Sequence, residues 1–230
     1  MHSFKVLTTE QLLGRNLNSV EKKYAPRTVY VSGSLGIPLR GFRVSVVGTR
    51  KPKHVERAVE IASALVEKKI VVVSGLARGI DTAAHKTAIE RGGKTIAVLG
   101  TPLDVYYPPE NRELQYIIMR EHLAVSQFPT GAPVAKKNFP MRNRTMALIS
   151  QATVVAEAGE DSGVISQCWE CLRLGRLLLI HEFLAKLSWV KEMMKYNTYT
   201  FQSADEILEM VEDYCPEDDT GIFEKFPIEI

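Results

Sequence analysis

Residues 71–85, Val71-Val72-Val73-Ser74-Gly75-Leu76-Ala77-Arg78-Gly79-Ile80-Asp81-Thr82-Ala83-Ala84-His85, decide the reading of the fold. Consecutive valines, rather than alternating ones, call for burial on both faces, as in an inner strand of a parallel sheet. The glycine-punctuated loop that follows leads into a segment of helical character over 81–91. Strand, loop and helix thus follow one another within some twenty positions.

The same unit repeats to either side. Short apolar runs lie at Val44–Val47, Ile70–Val73, Thr95–Leu99, Leu123–Val125, Ala152–Ala156 and Leu177–Ile180. Helical segments are predicted near 54–67, 81–91, 111–120, 142–150 and 163–174. In the first of these, Val55, Val59, Ala62 and Val66 are expected to form the buried stripe. Alternation of this kind predicts an α/β fold with a doubly wound, mostly parallel sheet. Residues 1–40 fit the repeat less well and read as an N-terminal extension, with turns and a short edge strand at Val29–Val31. Residues 41–200 form the α/β domain. Residues 201–230 read as a helix, predicted over Ala204–Val211, followed by a loose acidic tail; a further helix is expected over Ala185–Met194.

Size and composition set the outer limits. A chain of 230 residues, 45% apolar and 24% charged, suits one globular domain and not a disordered one. No apolar run reaches the ~20 residues that span a bilayer, so no membrane role is expected. The N-terminus lacks the pattern of a secretory signal, and three cysteines make no disulfide framework, so a cytoplasmic protein with reduced thiols is expected. The net charge of +2 conceals an asymmetry: residues 40–144 hold 18 basic and 9 acidic groups, residues 201–230 hold 1 and 10. A basic body suggests an anionic partner.

In a doubly wound sheet, ligands bind beyond the carboxyl ends of the strands. Gly48-Thr49-Arg50 ends one strand there, and the loop from Ser74 to Asp81 ends the next. Gly75 and Gly79 permit a tight turn and close approach of a ligand to the backbone. Asp81 is expected to cap the following helix, whose free amides would accept an anion. His85 reads either as a ligand contact or as packing within its helix. The residues after the first strand, G-T-R-K-P-K, are not a G-x-G-x-x-G fingerprint, and no P-loop occurs.

The segment Lys136-Lys137-Asn138-Phe139-Pro140-Met141-Arg142-Asn143-Arg144 carries the strongest signal. Pro140 suits the first position of a helix, which would place Arg142 and Arg144 in its opening turn. Cations there oppose the helix dipole by about 0.3–1 kcal/mol each, so a phosphate between them and the amides would explain their presence. Lys136 and Lys137 add charge, and Phe139 offers a face on which a base could stack. The alternative is a core Phe139 with the arginines paired to surface acids. Glu157, Ser162 and Gly163 would orient the arginines or bind an anion. Cys168-Trp169-Glu170-Cys171 is a lone C-x-x-C inside a helix, and neither a metal nor a cofactor is expected. No nucleophile–base pair suggests catalysis.

These segments together resemble the DprA/Smf (DNA processing protein A) family. The resemblance rests on VSVVGTR (44–50), VVVSGLARGIDTAAHKTAIERGGKTIAVLG (71–100), YPPENREL (107–114), FPMRNRTMALIS (139–150) and VVAEAGEDSG (154–163), in that order. It covers about residues 26–180 and implies an extended Rossmann fold. It also implies single-stranded DNA binding without turnover and loading of a RecA-type recombinase during natural transformation, with a homodimer in prospect. The DNA pocket it implies falls on Arg50, Ser74, Gly75, Arg78, Gly79, Lys137, Phe139, Arg142 and Arg144. The chain departs from the pattern after residue 163: the strand at Leu177–Ile180 is followed by His181-Glu182-Phe183 rather than a proline-glycine turn. No helical domain before the matched stretch, nor winged helix after it, is expected. Two other readings stay open. One is a sensor or hydrolase of a small nucleotide, although E-A-G-E-D-S-G stands where such hydrolases carry P-G-G-x-G-T-x-x-E. The other is a recombination adaptor whose acidic tail binds a protein or shields the crevice.

Overall fold

A computed structural model describes residues 4–214. The elements run in chain order β1 (Lys5–Thr8), α1 (Thr9–Leu13), α2 (Ser19–Tyr24), β2 (Thr28–Gly33), β3 (Arg43–Gly48), α3 (Glu56–Glu67), β4 (Val71–Ser74) and α4 (Ile80–Glu90). There follow β5 (Thr95–Leu99), α5 (Arg112–Glu121), β6 (Leu123–Ser126), α6 (Asn138–Ile149), β7 (Ala152–Glu157) and α7 (Val164–Arg173). The last are β8 (Leu177–His181), α8 (Ser188–Met193), β9 (Thr198–Phe201) and α9 (Ala204–Tyr214).

The nine strands of the described residues join one sheet, in the order β1-β2-β6-β5-β4-β3-β7-β8-β9. From β6 to β9 every pairing is parallel; β1 and β2 extend it antiparallel. The inner strands are apolar on both faces because helices cover both. Helices α3, α4, α5 and α9 pack on one face, α1, α6, α7 and α8 on the other. The chain winds outward from β3 through β4 and β5 to β6, then returns to β7 on the other side of β3. That reversal leaves a crevice beyond the ends of β3 and β7, the place where such sheets hold ligands.

Several sequence expectations change in detail. Val29–Val31 lies in β2, an inner strand, because β1 pairs along its outer side from Lys5↔Val31 to Thr8↔Thr28. The buried stripe of α3 is Ala58, Ile61, Ala62 and Leu65, while Val55 is 44% and Val59 37% exposed. A β-branched residue fits the exposed helix as well as the buried one, and only the packing partner decides. The helix expected over Ala185–Met194 is the shorter α8, preceded by a 3-10 turn at Glu182–Leu184. The acidic tail from Cys215 onward lies outside the described residues. Among the described residues no helix is long and apolar enough to cross a membrane.

Candidate nucleic-acid interface

The loop between β4 and α4 is fixed from below. Leu76 adopts φ 57°, a left-handed conformation that a branched side chain disfavours. Asn111 holds it there: its Nδ2 donates to the Leu76 carbonyl at 3.0 Å and to Thr82 Oγ1 at 2.8 Å. Thr82 Oγ1 in turn donates to the Ala77 carbonyl at 2.7 Å.

Asp81 does not cap α4. The cap position is Gly79, and the Asp81 carboxylate turns back to accept from the Ala77 amide at 3.2 Å and from Gly75. Burial raises its pKa, opposed by the Arg142 charge and these amide bonds. The anion at this helix start is therefore the protein's own. The glycines likewise make room for protein rather than ligand. A Cβ at Gly75 would overlap the Arg142 guanidinium, and one at Gly79 (φ 76°) would meet the backbone of Thr49 and Arg50 and the Pro52 ring. Gly48 is pressed between Ile80 and the Glu157 carbonyl. The Ile80 amide at the start of α4 donates to the Thr49 carbonyl at 3.3 Å.

Helix α6 begins at Asn138, two residues earlier than expected, so Pro140 is its third residue and both arginines lie in its second turn. Prolines are tolerated throughout the first turn, where no intrahelical amide bond is lost. Arg142 is 6% exposed and forms the floor of the crevice. Its Nη1 donates to the Val98 carbonyl at 2.8 Å, while its buried Nε has no partner. Burial lowers its pKa; the Asp81 charge opposes that and the Arg50 charge adds to it. Arg50 is exposed at the rim, and the loop that carries it is tied down by Glu157. That carboxylate accepts from the amides of Lys53 and His54, each at 2.8 Å, and the Glu157 carbonyl accepts from Thr49 at 2.7 Å. Glu157 therefore positions the Arg50 loop and contacts neither arginine.

The crevice has two lobes sharing Arg50, Ala77, Phe139 and Arg142. The larger, of about 450 Å3, is closed by Asn143, Asp161, Ser162, Gly163 and Gln167. The smaller runs past Gly75, Arg78, Gly100 and Tyr107. Phe139 is half-buried against Gly100, with its ring 5.6 Å from that of Tyr107. Tyr107 is 43% exposed, and the two rings together edge the smaller lobe. Tyr107, Gly100 and Asn111 were not singled out from sequence. The signal available was an aromatic next to Pro108 and an asparagine opening α5, both after β5 at the ligand-binding edge.

Of the expected site residues, Arg50, Gly75, Arg78, Phe139 and Arg142 line the crevice, with Gly48, Asp81, Ser162 and Gly163. Arg78 is exposed and pairs with Glu110 at 2.5 Å. Ser74 is buried and donates to the Val46 carbonyl at 2.7 Å. Lys136 and Lys137 are exposed just ahead of α6 and outside the lining. Arg144 points away, onto Glu170 at 3.1 Å and the Tyr24 ring. His85 is buried on the packing side, its Nδ1 2.7 Å from Thr95 Oγ1, and burial with the His122 and Arg142 charges pushes its pKa down to about 3. Cys168 and Cys171 are buried in α7, and burial pushes the Cys171 thiol up to about 12. Among the described residues no group of three or more His, Cys, Asp or Glu could hold a metal ion.

Fold and crevice define a class: a Rossmann-like α/β protein with a guanidinium-floored, aromatic-edged cleft at the switch point of its sheet. Within that class the chain belongs to the family described as DNA recombination-mediator protein A, whose family model matches residues 6–212. It is 43% identical over 153 residues to DNA processing protein DprA of Streptococcus pneumoniae, covering 66% of this chain and 54% of that one. It is 47% identical over 124 residues to Protein Smf of Synechocystis, covering 53% and 31%. The chain thus spans about a third to a half of the length of these curated relatives. The crystal structure of the Streptococcus pneumoniae protein superposes with a TM-score of 0.76 at 33% identity, over 90% of this chain and 74% of that one. DNA processing protein A of Helicobacter pylori, whose structure is described for its single-stranded DNA binding mode, superposes with a TM-score of 0.77 at 22% identity. It covers 93% of this chain and 98% of that one, a likeness of fold.

Proposed function

We propose that this chain binds single-stranded DNA in the crevice, as part of DNA processing in natural transformation. Phosphates lie between Arg50 and Arg142, and an unpaired base stacks at the Tyr107–Phe139 edge. One observation carries the reading. Arg142 floors both lobes of the crevice with the like charge of Arg50 adding to the cost of its burial, and among the described residues no carboxylate forms an ion pair with either arginine. A polyanion supplies the missing partner with charge-assisted bonds, and Arg matches phosphate oxygens with its fork of donors. The preference for single strands follows from the aromatic edge, because a base inside a duplex has no free face to stack. The reading includes no turnover: Asp81 is committed to loop amides and His85 is buried neutral beneath the helix. A RecA-type recombinase and a second copy of the chain as partners, and a cytoplasmic location, go with this reading on family membership alone.

Fluorescence anisotropy with a labelled oligothymidylate tests it. Binding should weaken steeply as salt rises, since each neutralised phosphate releases counterions. Arg50→Ala should weaken it by about 1.5–3 kcal/mol, the range for a hydrogen bond to a charged group. Absence of binding at low salt, or an Arg50→Ala variant that binds like the parent chain, would rule the proposal out.

A further inference from the structure

The segment where the sequence departs from the family pattern, His181-Glu182-Phe183, leaves β8 at the same edge of the sheet as the crevice loops. Phe183 is 53% exposed, a large apolar ring with no core to fill. Cations surround it: the Arg57 guanidinium lies 5.0 Å and the Lys186 ammonium 4.8 Å from its centroid. The His54 ring meets it edge-on at 6.4 Å. Arg57 Nη1 is buried with no hydrogen-bond partner. Loop 49–54, whose backbone Glu157 holds, leads directly from Arg50 to this cluster.

Along that path Arg50, Lys51, Lys53, Arg57 and Lys186 form no ion pair with described residues. Several of the nearby acids are taken: Glu56 by His54 at 2.9 Å, Glu157 by the amides of Lys53 and His54, and Glu160 by Ser188, while Glu60, Asp161 and Glu182 remain. Strands β3, β7 and β8 are neighbours, so the end of β8 stands about 10 Å from the end of β3 at ~4.8 Å per strand. A strand leaving the crevice over Arg50 passes this point within a few nucleotides.

We infer that Phe183, flanked by Arg57 and Lys186, is a second stacking platform for single-stranded DNA, taking a base beyond those held in the crevice. The chemistry is that of a basic track with an aromatic face set in it, which binds successive bases without regard to sequence. This inference rests on the function proposed above, and oligonucleotide length separates the two. A short oligothymidylate of about four nucleotides fills the crevice alone, while one of about twelve reaches both places. Phe183→Ala should weaken the long oligonucleotide about fivefold or more and leave the short one unchanged. Phe183→Trp should keep full affinity, and the added indole emission, read against the parent chain with Trp169 and Trp189, should be quenched by the long oligonucleotide only. A Phe183→Ala chain that binds both lengths like the parent, or loses both equally, overturns the platform and leaves the crevice standing. Failure of the parent chain to bind either length overturns both.

Discussion

Arg142 and Arg144 stand two residues apart on α6, and at 100° per residue they face about 200° apart. Arg142 enters the crevice, where Phe139 and Tyr107 are its aromatic neighbours and Arg50 its like-charged one. Arg144 lies on the other side, over the Tyr24 ring with Arg173, and Glu170 accepts from both, at 3.1 and 2.7 Å. Deeper on that side Glu21 takes two bonds from Arg15, at 2.7 and 2.8 Å, and one from Arg176 at 2.9 Å. Both regions are built from arginine and aromatic side chains. They differ in whether a carboxylate bonds the guanidinium directly; Asp81 acts on Arg142 through its charge, while its oxygens accept from loop amides. Where a carboxylate does, the arginines fasten α2 to α7 and β8; where none does, they are free to take a ligand.

The strongest way to break this contrast is to remove the anion from the fastened side. Glu21→Ala leaves Arg176, 3% exposed, without its carboxylate. Losing one partner of a buried pair costs about 3–5 kcal/mol, because the other charge stays buried. Urea unfolding followed by circular dichroism should show a loss of this size, with oligonucleotide affinity of the folded chain unchanged. A loss under ~1 kcal/mol would mean that the pair is not the fastening described.

Acid should act on the same side, and with a definite sign. Burial alone would raise the Glu21 pKa, but the Arg15 bonds and the Arg176 charge outweigh it and hold the carboxyl below its ordinary 4.5. Its contribution is complete above that value and is lost as pH falls through the folded pKa. His85 adds an earlier loss. The unfolded chain takes up this proton below about 6.5, the folded one only near 3, so stability falls across that interval as pH drops. In mid-window one such group contributes a slope of about 1.4 kcal/mol per pH unit. Burial lowers His122 and His181 as well, with the same sign. Thermal melts should therefore decline from pH 6.5 downward. His85→Asn, which keeps a donor toward Thr95, should flatten the upper limb and leave the lower one. An unaltered upper limb would assign it to the other histidines.

The parallel sheet was legible because its strands announce themselves: three to five mostly apolar residues, such as Thr95–Leu99, whose bounds match β5. The antiparallel edge was not, since Lys5–Thr8 is short and exposed along much of its length and carries no pattern of its own. In the crevice, sequence brought out residues whose type suits an anion, and five of them line it. It could not tell Arg142 from Arg144, because spacing gives direction only once the helix start is known, and α6 begins two residues early. Nor could it give Asp81 and Glu157 their roles, for each carboxylate meets amides of a loop whose course the tertiary fold sets. Tyr107 was missed for the same reason: nothing near it in the chain points to Phe139, thirty-two residues on.

The smallest effect is the sharpest for the comparison. Arg144 belongs by sequence to the phosphate-binding segment, and by structure to Glu170. Its side chain is 45% exposed, so the pair is partly screened and worth about 0.2–1 kcal/mol. Arg173 keeps Glu170 paired when Arg144 is gone, which lowers the penalty further. Arg144→Ala should then cost less than ~1 kcal/mol in urea unfolding and leave oligothymidylate affinity within about twofold of the parent chain. Arg50→Ala, beside it, should lose tenfold or more. If Arg144→Ala weakens DNA as Arg50→Ala does, the strand wraps α6 onto its far face, and an arginine already paired with an acid is recruited all the same. The rule that separates the two regions would then fail at the residue where sequence and structure disagree most.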